Sequence, residues 1–324
     1  GGDDTGGGGG DTGGGGGDTG GGGSGDRTTQ QPVTGVPADE LLEFVLISQY
    51  YEGSSYNKWL EIANAGPFTV DFGTTPLHVH LLSNQRAEAP DGAEPNASYT
   101  LSGTLAPGQT LLLKNGQAVS PVHGDGLASG VVNFNGNDIV LLSKGESTQA
   151  WAQRTDVFGE TSGRDFAKDV NFTRKASVTR AARTWDTSEW EESPNGSIDG
   201  SVGPDANDYL GTHRAWNVVR IDGREGWRMM GFPATQATLG EILDPLWTQG
   251  AGGGDQAEGA PNVYRYALES SELEPLADLS RIPDSGEGFF VYVHEESQNA
   301  AATTGFPRFL TFPSTPSSDE PVNL

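Results

Sequence analysis

The chain has 324 residues, with 44 acidic against 19 basic side chains, a formal net charge of -25 and no cysteine. That length suits about two domains, the charge disfavours nonspecific attraction to nucleic acid or to a bare anionic membrane, and no disulfide can brace the fold. No apolar run approaches the ~18 residues that a bilayer-spanning helix needs, so membrane insertion is not expected.

Lysine occurs only at Lys58, Lys114, Lys144, Lys168 and Lys175. An acid-rich, lysine-poor surface stays soluble at high salt, where screening removes most self-repulsion. This composition fits a halophilic source. The sequence starts at Gly1 rather than Met, which fits a processed form or a fragment.

Residues 1–31 form a Gly/Asp/Thr-rich arm. Asp4-Thr5, Asp11-Thr12 and Asp18-Thr19 recur every seven residues between glycine runs. The plain reading is a flexible tether. Fixing glycine backbone costs at least ~1–2 kcal/mol per residue, and glycine has no side chain to bury in return. Order would have to come from backbone hydrogen bonds, above all to another chain. Glycine lets backbones approach closely, as an added strand or as packed extended helices. The sharper expectation is an arm that contacts other copies of the protein through Gly6, Gly10, Asp11, Thr12, Gly13, Gly17, Asp18, Thr19 and Gly20. A calcium-binding β-roll is a poorer match, because this repeat has neither the nine-residue period nor its large apolar position.

After a polar connector, Ala38-Asp-Glu-Leu-Leu-Glu43 suits one helical turn. Val45 to Ile62 then reads as two apolar strands flanking the polar hinge Glu52-Gly-Ser-Ser-Tyr-Asn57. Short strands continue: Phe68–Phe72, Leu77–Leu82, Tyr99 onward, then Leu111–Lys114. Asn115-Gly116 is a type I′ turn signal. Val131–Phe134 is expected to meet Ile139–Leu142 across Asn135-Gly-Asn-Asp138.

The run Ile47-Ser48, Tyr50, Glu52-Gly53-Ser54-Ser55, Asn57-Lys58 and Leu60-Glu61-Ile62 closely resembles the opening of the lamin-tail domain of exported bacterial proteins. Gln49 replaces the usual acid. Ser102 to Gln109 and Phe134 to Leu142 also resemble that pattern. So do Thr155–Gly159, Asn171–Lys175, Trp185–Trp190 and Leu210–His213. The resemblance implies an immunoglobulin-like β-sandwich over about 43–213 within a domain at 32–213, an extracellular or cell-surface location, and company with secreted nucleases.

Residues 214–324 read as a second β-sandwich module with a short polar tail. Ala215–Arg220 is a strand that Asp222-Gly223 would turn toward Gly226–Gly231. Thr238-x-x-Glu241 has capping-box spacing, and Pro245 limits the helix that follows. Asn262–Tyr266 and Phe289–Val293 are strong strands. The run resembles a module of secreted proteins from Bacteroidota-type bacteria. The fold expected is thus all-β: two β-sandwich domains behind a glycine-rich arm.

Chemistry is sparse. His78-x-His80 puts two imidazoles on one strand face, a spacing that suits zinc but lacks an evident third ligand; the bland reading is a solvated polar face. Asp199, Asp205, Asn207 and Asp208 lie in a Gly-rich loop and could cage Ca²⁺, against a plain acidic loop. No nucleophile triad, phosphate loop or dinucleotide fingerprint occurs. Tyr50, Tyr51, Tyr56 and Trp59 surround the first hinge, where exposed members would stack on sugars or on a protein and buried ones would be core. The expectation is a noncatalytic subunit of an extracellular assembly, such as a filament, without cofactor save for Ca²⁺. The alternative is a tethered binding module for a surface polymer or partner, or an accessory part of a nuclease.

Overall fold

The computed structural model describes residues 36–53, 55–118, 126–192, 215, 217–221, 225–231, 235, 237–267, 270–284, 286–294 and 308–312. The structure is all-β with a few short helices. The first part contains α1 (Ala38–Leu42), β1 (Val45–Glu52), β2 (Lys58–Asn64), β3 (Val70–Asp71), β4 (His78–Leu82) and α2 (Gln85–Glu88). It continues with β5 (Ala97–Thr100), β6 (Thr104–Leu105), β7 (Thr110–Lys114), β8 (Leu127–Ala128), β9 (Ile139–Ser143), β10 (Arg154–Phe158), β11 (Asn171–Arg174) and β12 (Trp190–Glu192).

Two sheets form the first sandwich, in the orders β12-β11-β1-β2-β7-β8 and β10-β9-β4-β5. Their facing sides bury Val45, Ile47, Tyr50, Leu60 and Ile62 from one sheet against Val79, Leu81, Val140, Leu142 and Phe158 from the other. Each such side chain contributes about 1.5–3 kcal/mol through burial. Tyr50 stacks between Phe134 and Phe158, with centroids at 4.1 Å on either side.

The first hairpin is deeper than its alternation suggests, since every residue of β1 and β2 is buried. A bulge between Ile47 and Gln49 shifts the phase of β1. The reverse phase packs Leu46 and Ala63 with Ala65, and Tyr51 with Trp59.

Three local expectations fail. Phe68–Phe72 contributes only the two-residue β3. Val131 belongs to a 3-10 turn over Gly130–Val132 rather than to a strand, capped by the Ser129 hydroxyl, which accepts from the Val131 amide. Neither Asn115 nor Gly116 has the positive φ of a type I′ turn. Asn115 is instead a side-chain clamp: its Nδ2 donates to the Val132 carbonyl and its Oδ1 accepts from the Gln117 amide.

The second part contains β13 (Asn217–Ile221), β14 (Gly226–Gly231), α3 (Leu239–Leu243), β15 (Val263–Ala267), β16 (Glu272–Pro275), β17 (Gly288–Val293) and β18 (Arg308–Phe312). A four-stranded sheet, β14-β17-β15-β16, faces the β13-β18 ribbon and α3 across a separate core. Val263, Phe289, Val291 and Val293 come from the sheet, Leu310 and Phe312 from the ribbon, and Leu239, Ile242 and Leu243 from α3. The capping box forms as read, with reciprocal bonds between Thr238 and Glu241. The expected hairpin from residue 215 to 231 does not, because β13 pairs with β18 instead of β14.

The ribbon also touches the first sandwich. Phe309 meets the Phe44 ring edge-on at 4.9 Å, and the Arg180 guanidinium lies over both rings. Arg220 faces Glu40, with nitrogen–oxygen distances of 2.5 and 3.4 Å. Among the described residues, no helix is long and apolar enough to cross a membrane.

Candidate contact surface

The histidines are not on a solvated face. His78 and His80 are 6% and 1% exposed, sunk beneath the Gly145–Glu146 segment. His80 bonds the Ser98 hydroxyl at 2.8 Å and the Gly145 carbonyl at 2.9 Å. His78 bonds the Thr100 hydroxyl at 3.1 Å and lies 3.3 Å from a Glu146 oxygen. Both hydroxyls sit directly across the β4–β5 register, so these are cross-strand polar pairs. Each imidazole has both nitrogens engaged, which leaves no lone pair for zinc. Burial lowers the His80 pKa below its ordinary value.

The other buried ions are likewise engaged. Asp156 accepts from the Ile47 amide at 2.7 Å, from the Ala182 amide at 2.8 Å and from Arg174 at 2.8 and 2.9 Å. Arg174 also reaches Glu189 at 2.5 Å and lies over the Trp190 ring. Burial pushes the Asp156 carboxyl up, opposed by Arg174 and the two amides. Glu52 takes bonds from Lys58 and from the Tyr50 hydroxyl, and Lys58 also donates to the Phe134 carbonyl. Burial pushes Glu52 up against the pull of Lys58. These clusters tie β1 to the loops at its two ends.

Of the hinge aromatics, Tyr50, Tyr51 and Trp59 are core, and Tyr56 is exposed. Tyr56 borders an open depression with Asn115, Gln117, Ser129 and Asn133, a lining without an acid, a histidine or a lysine. The arm residues Gly6, Gly10, Asp11, Thr12, Gly13, Gly17, Asp18, Thr19 and Gly20 lie outside the described residues. So do the calcium candidates Asp199, Asp205, Asn207 and Asp208. Among the described residues, no group of three or more His, Asp or Glu could hold a metal ion.

The exposed aromatic surface is elsewhere, on the outer face of the second sheet. Met229 is 75% exposed and Trp227 52%. Register sets Trp227 opposite Tyr292, and Met229 opposite Phe290, which in turn sits opposite Tyr264. Trp227 meets the rings of Tyr264 and Tyr292 edge-on at 5.5 and 5.3 Å. The next row holds Gly231, Gly288 and Tyr266, with Leu273 beyond. A Cβ at Gly231 would meet nothing within 4 Å, so the glycine end of this row is a hollow beside the aromatic ridge.

The ridge borders a sheet edge, and the two edges of that sheet differ. β16 carries Glu272 and Glu274 and ends in Pro275, features that block strand addition. β14 has six residues, no acid, no proline and no lysine. In the first sandwich, β12 ends in Glu191-Glu192 and β8 is two residues long. The edge strand β10 points Asp156 inward, and β5 is a four-residue edge of small and polar residues. β14 is thus the longest edge among these without an acid or a proline.

No family model matches this chain, and neither a curated protein nor a solved structure matches it.

This surface lies far from the first hinge in the sequence, in strands whose aromatics carry no motif. A signal is present: in Val263-Tyr-Arg-Tyr-Ala267 and Phe289-Phe-Val-Tyr-Val293, Tyr264 and Tyr266 share one phase, and so do Phe290 and Tyr292. A strand whose outward phase is aromatic carries more apolar surface than one core can take.

Proposed function

We propose that this protein is a noncatalytic structural subunit that associates with other copies of itself, outside the cell or at its surface. The observation that carries the reading is the β14 edge: among the described residues the strand has no neighbour on its outer side, and its outward side chains, Trp227 and Met229, are among the most exposed large apolar groups. Open apolar edges template pairing with another chain, and the remaining edges of the second sheet and of the first sandwich are short, polar or charged. The lamin-tail resemblance of 43–213 supports the extracellular placement and supplies a sandwich with no need of a catalytic cleft. The glycine arm fits as a second contact that would extend pairs into a filament.

Light scattering after size exclusion in high-salt buffer, with negative-stain microscopy, tests the reading. Wild-type protein is expected to associate with rising concentration, and Met229→Lys to weaken that association at least tenfold. A wild-type protein that stays monomeric throughout would overturn it.

A second reading, a binding module for an uncharged surface polymer, is favoured by the ridge of Trp227, Tyr264 and Tyr292, since aromatic faces with polar tips stack on sugar rings. Sedimentation with insoluble neutral polysaccharide decides it. Binding that is lost in Trp227→Ala would favour the module, and no co-sedimentation would remove it.

A further inference from the structure

We infer that β14 pairs antiparallel with β14 of a second copy about a twofold axis through Met229, joining two four-stranded sheets into one. The inference rests on the self-association proposed above and names its register.

The argument begins with parity. A twofold axis perpendicular to a sheet keeps each residue on its own face, so opposed residues must share a face, and the axis must pass through a residue position. An axis at Trp227 or at Met230 would align only three residues of β14. One at Arg228 aligns five but sets two guanidinium groups directly opposite each other, which is repulsive. Met229 also aligns five, as read from the span Gly226–Gly231. On the outer face it sets Met229 against Met229 and Trp227 against Gly231 of the other copy. On the inner face it sets Arg228 against Met230.

Side-chain volumes agree with that register. Trp227 is half-exposed, its ring leaning on Tyr264 and Tyr292, and it stands on a strand that has no neighbour on its outer side among the described residues. Gly231 leaves open space where a Cβ would stand. The register sets each Trp227 opposite the other copy's Gly231, so the largest side chain of the strand faces a position with no side chain, twice. Arg228 Nη1 bonds the Trp227 carbonyl at 3.1 Å, and pairing would give the edge main-chain partners as well. Charge points the same way. A chain of net charge -25 repels its own copies, and β14, with no acid of its own, adds no acid–acid pair to that repulsion.

The absence of cysteine makes the test clean. Opposed residues in an antiparallel pair have Cα atoms ~4.5–5.5 Å apart, inside the ~4.4–6.8 Å span of a disulfide. Met229→Cys alone is therefore expected to form a disulfide-linked dimer under mild oxidation. Trp227→Cys alone should not, since its two copies would be about 13 Å apart along the strands, yet it should cross-link to Gly231→Cys in a mixture. Ile282→Cys, also exposed, reports random collision.

Dimers that cross-link at Trp227→Cys alone, or that leave Met229→Cys free, overturn this register while self-association stands. Association that survives Met229→Lys but is lost on deleting residues 1–26 moves the contact to the arm and overturns the inference. A wild-type monomer at every concentration overturns both the inference and the function it rests on.

Discussion

Arg174 shows what a buried ion does for this fold. It joins β11 to Asp156 on β10 and to Glu189 just before β12, and Asp156 in turn holds the Ile47 amide at the bulge of β1. Removing one partner of such a pair leaves the other charge buried, at about 3–5 kcal/mol. Arg174→Met is expected to lose that much in urea unfolding followed by tryptophan fluorescence. His80 carries the opposite liability, because burial favours its neutral form. Its folded pKa lies below the unfolded value of about 6.5, so the unfolded chain takes the proton first. The stability it supports is therefore present above about pH 6.5 and is lost as pH falls through that value toward the folded pKa, by at most ~1.4 kcal/mol per pH unit. Urea midpoints between pH 7.5 and 5.5 should fall in the wild type and fall less in His80→Gln. Residue types were legible in the sequence, but their partners were not. Tyr50 and Trp59 read as aromatics at a hinge, yet Tyr50 is core through the packing of one sheet on the other, and Trp59 through Tyr51, Leu112 and Ala118 on the reverse face. The Asp156–Arg174 pair depends on two neighbouring elements of different sheets, which no local spacing encodes.

Turns and edges were harder to read than strands. The Thr238–Glu241 box and the strands β4, β15 and β17 follow from local pattern, because capping and alternation are satisfied within a few residues. Asn115-Gly116 and the β13 pairing do not, because distant groups decide them: the Val132 carbonyl holds Asn115, and β18 takes β13. Gly136 is a turn glycine whose need is visible in the structure. Its φ is +82°, and a Cβ there would come within 2.7 Å of Lys168 backbone atoms. Its amide bonds the Tyr50 hydroxyl, and its carbonyl accepts from both Phe166 and Ala167. Gly136→Ala is expected to destabilise the first sandwich by more than about 1 kcal/mol, read as a lowered urea midpoint with an unchanged slope. The β14 edge escaped sequence reading for a related reason: whether a strand is an edge depends on the order of all its neighbours, and Gly226–Gly231 looks locally like any other strand.

At the scale of the whole chain, the surplus of 25 negative charges opposes compaction at low ionic strength. The screening length shrinks from about 10 Å at 0.1 M salt to about 3 Å at 1 M. The calorimetric midpoint is therefore expected to climb with sodium chloride over that range, and a flat or falling midpoint would contradict the picture. The two cores are separate, but Phe44, Arg180 and Phe309 join them through the ribbon. That ribbon consists of the first and last described strands of the second part, so β13 leaves the ribosome long before its mate. Until β18 is made, Val218 and Ile221 have no lid and one side of Phe44 stays bare. The finishing of the second core, and its docking on the first, thus wait until β18 has been made.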